Sequence, residues 1–167
     1  MGNLHLVGTT LSAEAKKSGG DIADAFGRSA FNRYYYAAYL EVRDLLVKFK
    51  SDWDIKHAKA PEYLEENLQE IFRREIKRQV RIQLLTCADG KKIASTVSSS
   101  GSAIAQVLRV AYKVRVISDY LPDEPVMFDQ ATFHLDSHSE GEAKAWLRTV
   151  ETHKGRILKY GKELELV

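Results

Sequence analysis

Apolar residues recur along this chain at steps of three and four, which is the period of an α-helix packed on one side. The clearest run is Phe31, Tyr35, Ala38, Val42, Leu45 and Phe49. It predicts a helix over Asp21–Lys50, with Asp21 as its N-cap after Gly19-Gly20. A second stripe on the same helix, Ile22, Phe26, Ser29, Arg33, Tyr36 and Leu40, implies contacts on two sides, as a central bundle or dimer-interface helix makes. Arg33 then falls among partly buried groups. A shorter, weakly specified helix is expected upstream, around Leu11–Lys17.

Pro61 suits the first turn of another helix, running to about Leu85, whose apolar side is Leu64, Leu68, Ile71, Phe72 and Ile76. Asp89-Gly90 reads as a turn. From about Lys91 to Tyr120, Ala103, Val107, Val110, Val114, Ile117 and Leu121 lie at helical spacing, with Ser98-Ser99-Ser100-Gly101-Ser102 read as a break or mobile loop within that region. Pro122 disfavours helical geometry at Leu121, so an irregular connector with some strand-like alternation is expected as far as His138. Ser139 and Glu142 have the spacing of a capping box. The last helix follows, with Ala143, Trp146, Val150, His153, Ile157 and Tyr160 on its buried side and Gly161 as its stop. No internal repeat is found. The fold class is all-α.

Composition narrows this reading. With 167 residues, 44% of them hydrophobic, the chain suits one domain over 1–167 with its own core. The prolines are confined to Pro61, Pro122 and Pro125, leaving long stretches free for helices. One cysteine, Cys87, makes no internal disulfide, and no charged-then-apolar leader opens the chain, so a reducing cytoplasmic setting is expected. No apolar run reaches bilayer length, and Met1-Gly2 lacks the Ser or Thr at position 6 that a myristoylation signal uses, so no membrane contact is expected. A net charge of +2 leaves any polyanion site to local clusters.

Two segments carry a family resemblance. Arg28-Ser-Ala-Phe-Asn-Arg-Tyr-Tyr-Tyr-Ala-Ala-Tyr-Leu40 resembles the helix of HEPN-superfamily proteins in which a small residue, an aromatic pair and alanines pack closely. Arg115-Val-Ile-Ser-Asp-Tyr120 is similar to the Arg-x-x-Ala-Asp-Tyr segment of a HEPN subgroup related to partners of small nucleotidyltransferases. His57 resembles a histidine often seen after the first segment. The likeness covers roughly residues 21 to 160 and implies a bundle of four to five helices, frequently dimeric. It further implies RNA cleavage, RNA or nucleotide binding, toxin-antitoxin pairing or antiviral defence. Catalytic members carry Arg, four to six residues, then His. Here Arg115 holds the arginine place and Tyr120 stands where the histidine belongs. Metal-free RNA cleavage needs a group that exchanges protons near neutral pH, which imidazole does and phenol does poorly. Arg115 retains the donors to neutralise a phosphate.

Other candidate residues have plainer roles open to them. Arg148-Thr-Val-Glu-Thr-His153 is a literal Arg-x4-His, but it lies inside the last helix, with His153 on the apolar stripe, so packing is the expected role. Arg73, Arg74, Lys77, Arg78 and Arg81 form one basic helix edge suited to phosphates. The acid-first, base-last order after Glu62, Glu65, Glu66 and Glu70 is also what the helix dipole favours unaided. Tyr34, Tyr35, Tyr36 and Tyr39 are expected mainly in the core. His134, Asp136 and His138 lie in a connector with no further ligand pattern, so no metal and no cofactor are expected. The function expected is RNA or nucleotide-phosphate binding in a prokaryotic defence or toxin-antitoxin system, through Arg33, Arg115, His57, Tyr120 and the basic edge, as a homodimer or with a nucleotidyltransferase or defence protein. The alternatives are a metal-independent endoribonuclease acting as a dimer, with Arg115, His57 and His153 as catalytic candidates and either histidine working with an arginine across the dimer, and a protein-binding adaptor.

Overall fold

A computed structural model describes residues 3–167; Met1 and Gly2, on which the myristoylation reading falls, lie outside the described residues. Helix α1 spans Asn3–Lys17 and is longer than the sequence pattern predicts. Its buried positions are Gly8, Ser12 and Ala15, so its packing face is made of small side chains that do not register as an apolar stripe. A Cβ at Gly8 would lie 2.8 Å from the Tyr34 ring, which explains why that face must be small.

Helix α2 spans Gly20–Phe49, within a residue of the predicted limits. Phe31, Tyr35, Ala38, Val42 and Leu45 are buried. The second stripe divides, with Ile22 and Ser29 exposed and Phe26, Arg33, Tyr36 and Leu40 half-buried. After a short helical turn, α3 (Ala60–Glu62), and a π-helical turn over Tyr63–Asn67, helix α4 spans Leu68–Arg81. It stops four residues before Leu85. Gln83 adopts a left-handed backbone, and the amides of Leu84 and Leu85 fold back onto the Gln79 carbonyl.

Helix α5 spans Cys87–Tyr120 without interruption. Asp89-Gly90 is not a turn: the Asp89 amide donates to the Thr86 hydroxyl at 3.0 Å, and that hydroxyl donates to the Asp89 carboxylate at 2.6 Å, so Thr86 caps the helix. The serine cluster is likewise helical. Its small residues permit close packing rather than breaking the helix: Ser100 and Gly101 are buried, and a Cβ at Gly101 would lie 2.9 Å from the Leu64 carbonyl oxygen. In an open helical site, such as Gly155 with nothing within 4 Å, Gly→Ala is expected to stabilise by up to about 1 kcal/mol. At Gly101 the same change should instead destabilise by about 1 kcal/mol or more, because backbone must move. Paired thermal melts of the two variants check this.

The connector contains a three-stranded antiparallel sheet in the order β1 (Met127–Phe128), β2 (Phe133–Leu135) and β3 (His138–Ser139), with Met127 opposite His134 and Leu135 opposite His138. Phe133 and Leu135 are buried, which is the alternation visible in the sequence. Helix α6 spans Glu140–Glu163. Its capping box forms as predicted: the Ser139 amide donates to Glu142 Oε2 at 2.8 Å, and the Glu142 amide to Ser139 Oγ at 3.2 Å. Gly161 does not stop the helix. It is buried, with room only for hydrogen where a Cβ would lie 2.8 Å from the Phe49 ring.

The architecture is an all-α helical bundle, with five helices longer than one turn among the described residues. No helix described is long and apolar enough to cross a membrane. Contacts group into two compact units. The first comprises residues up to Glu41 together with Leu108–Arg148, the second Val42–Val107 with Thr149–Val167. The core of the first holds Phe31, Tyr34, Tyr35, Leu108, Val114, Phe133 and Leu135; that of the second holds Leu45, Leu46, Leu64, Leu68, Phe72, Ile104, Val150 and Ile157.

Candidate functional site

In the first unit, the two segments that carried the family resemblance meet. Asn32 on α2 donates its amide to both oxygens of Asp119 on α5, at 2.8 and 3.0 Å. Arg115, one turn before Asp119, pairs with the same carboxylate at 2.9 Å and places its guanidinium 5.1 Å from the centre of the Tyr120 ring. Burial lowers the Arg115 pKa, but Tyr120, Asp119 and Tyr36 outweigh it and hold the guanidinium charged. Arg115 is only 18% exposed, whereas Tyr120 is 63% exposed. The cation is thus already matched by an internal anion. A phosphate would have to compete with Asp119 for it.

Sequence reasoning missed the residue that organises this end of the unit. Arg28 pairs with Asp24 at 2.6 Å, and its guanidinium donates to the carbonyls of Ile117, Ser118, Leu121, Pro122 and Glu124. It therefore ties the last turn of α5 and the residues that follow it to α2, through carbonyls that each have a second lone pair to accept with. Its signals in the sequence were the Asp24-x3-Arg28 spacing and its place at the head of the run ending at Leu40. Arg33, the other arginine proposed for binding, is half-buried beside Gly8 and has no ion-pair partner among the described residues.

A cleft of about 650 Å³ lies between the start of α2 and the connector, with Lys16, Asp21, Asp24, Phe128 and Asp129 on its wall. Lys16 is engaged by buried Glu140 at 2.7 Å and Asp24 by Arg28 at 2.6 Å, which leaves Asp21 and Asp129 as the remaining charged groups on this wall. The wider surroundings agree: residues 116–143 contain seven carboxylates and neither lysine nor arginine. Asp136 pairs with Lys113 at 3.0 Å, His134 lies 3.3 Å from Asp129, and His138 lies 4.0 Å from Glu142. Among the described residues, no group of three such side chains is placed to hold a metal ion.

The second unit holds the remaining candidates. Arg73, Arg74, Lys77, Arg78 and Arg81 are all exposed on α4. Glu70 engages Arg73 at 3.5 Å and Arg74 at 2.8 Å, and Glu75 engages Arg78 at 2.6 Å. Lys77 and Arg81 have no ion-pair partner among the described residues. His57 opens a short 3₁₀ turn and is half-buried. His153 sits with Nδ1 3.2 Å from the hydroxyl of fully buried Ser100. Burial and nearby Arg156 push its pKa down, favouring neutral imidazole. Ser100 has no access to a substrate, so this pair is a packing contact and not a nucleophile with its base.

The units also differ in charge. The first carries 9 basic and 11 acidic side chains, the second 16 and 12. The predicted site residues are divided accordingly, with Arg33, Arg115 and Tyr120 in the acidic unit and His57, His153 and the α4 row in the basic one. No protein-family model matches the chain, and no curated protein or solved structure does so either.

Proposed function

We propose that this chain is a HEPN-like helical protein that binds RNA or nucleotide phosphate without cleaving it. The exposed cationic face of α4 carries the reading: five basic side chains on one helix, two of them without an ion-pair partner among the described residues, in the unit with the basic excess. Arg115 serves this function less directly than the family likeness implies, because Asp119 already neutralises it. Absence of turnover follows from Tyr120 in the place of the histidine and from the commitment of His153 to Ser100. The biological setting proposed is a prokaryotic defence or toxin-antitoxin system, with a second copy, a nucleotidyltransferase or a defence protein as the assembly partner.

Incubation of labelled single-stranded RNA with the protein in EDTA tests both halves of the proposal. Retention of intact RNA at low salt is expected. Cleavage lost on His57→Ala or His153→Ala would replace the binding reading with the endoribonuclease one. A second reading, the adaptor, draws support from exposed Tyr120, Leu121 and Met127, apolar groups on a stretch, residues 116–143, that holds seven carboxylates and neither lysine nor arginine. It gains if RNA affinity is absent at low salt.

A further inference from the structure

We infer that the groove between α4 and α5 in the second unit is a phosphate seat, built by Arg73 and Gln69 on one side and the hydroxyls of Ser95 and Ser98 on the other. The groove has a volume of about 340 Å³, with Phe72 and Val97 also lining it. Gln69 and Arg73 are one turn apart on α4, and Ser95 and Ser98 one turn apart on α5, so both pairs present side chains to the same space.

The hydrogen bonding on α5 separates groove residues from their neighbours. Thr96 turns its hydroxyl back onto the Lys92 carbonyl at 2.9 Å, and Ser99 does the same to the Thr96 carbonyl at 3.1 Å. Ser95 and Ser98 make no such bond, and neither hydroxyl has a partner among the described residues. Across the groove, Arg73 is held only by long contacts, 3.5 Å to Glu70 and 3.4 Å to Gln69 Oε1. Glu70 is shared with Arg74 at the shorter distance of 2.8 Å. The groove therefore brings together a loosely held guanidinium, a side-chain amide and two uncommitted hydroxyls. Those are the donors that the oxygens of a phosphate ester accept. Within the serine cluster, Ser98 thus gains a role that neither a helix break nor close packing supplies.

This inference rests on the reading that the basic unit meets polyanions, and gives that surface one fixed contact point. The phosphate belongs either to a free nucleotide or to an RNA backbone. Three arms separate these sources: amide NMR shifts on adding inorganic phosphate, a nucleoside monophosphate, or a single-stranded RNA oligomer to the full chain. Shifts centred on residues 69–73 and 95–98 are expected in every arm if the seat takes phosphate as such. RNA affinity should fall about tenfold in Ser95→Ala/Ser98→Ala, with its salt dependence unchanged because the lost donors are neutral. Ser99→Ala, whose hydroxyl is committed to the helix, should bind as the parent does, and alanine in a helix keeps all these variants folded. Parent-like RNA binding by the double serine variant, with shifts mapping away from the groove, overturns the inference while leaving the α4 surface intact. Phosphate and nucleotide shifts at the groove with no RNA affinity keep the seat and reject RNA as its ligand.

Discussion

Replacing Glu140 by Gln is expected to lower stability near neutral pH by about 2 kcal/mol and to flatten the acid limb of the stability profile. Glu140 begins α6 and is buried, where it accepts from Ser12 and Lys16 on α1 and from Lys144 one turn on. Burial by itself would raise its pKa, but Lys144, Lys16 and Ser12 outweigh that and hold it at about 2, against 4.5 for a free side chain. A carboxyl whose folded pKa is depressed contributes stability that is complete above its unfolded pKa, declines as pH falls from about 4.5 towards 2, and is gone below that. The full shift corresponds to about 3 kcal/mol, reduced here because water reaches the two half-exposed lysines. Urea titrations from pH 7 to pH 2 check the result. The parent should lose stability across that window, and Glu140→Gln should start lower and change less.

Charge reversal of the two uncommitted cations, Lys77→Glu with Arg81→Glu, is expected to weaken RNA binding by about a hundredfold at low salt. Each cation removed forfeits one phosphate neutralisation, and each carboxylate introduced repels the backbone. Both side chains are exposed and neither packs in the core, so stability should change by less than about 1 kcal/mol. The same exchange at Arg74 should cost less affinity, because Arg74 is already partly neutralised by Glu70. Fluorescence anisotropy on a labelled single-stranded oligomer, with a thermal melt of each variant, separates lost binding from lost fold.

The helices that pack through large apolar side chains were legible in the sequence. The α2 stripe from Phe31 to Leu45 and the Ser139–Glu142 box are local patterns with one structural solution. Helix α1 and the serine region of α5 were not, since their packing depends on small residues whose partners, Tyr34 and the Leu64 carbonyl, are distant in sequence. Gly90 and Gly161 misled for the same reason. Each sits in a helix where another side chain, Ile76 or Phe49, occupies the space of a Cβ, so close approach and not turn geometry selects glycine. Of the candidate site residues, the basic row on α4 follows from spacing alone. The Asp119 clamp on Arg115 was hidden, although i,i+4 spacing allowed it, because a motif read for its arginine and tyrosine draws no attention to the carboxylate between them.

In the proposed function it is the cations on α4, and not Arg115, that meet the polyanion. The logarithm of RNA affinity should fall linearly with the logarithm of salt concentration, and Lys77→Ala with Arg81→Ala should make that slope shallower by about 1.4. Arg115→Gln should leave the slope nearly unchanged. Equal slopes for the parent and the α4 variant, with the salt dependence lost in Arg115→Gln instead, would contradict the claim.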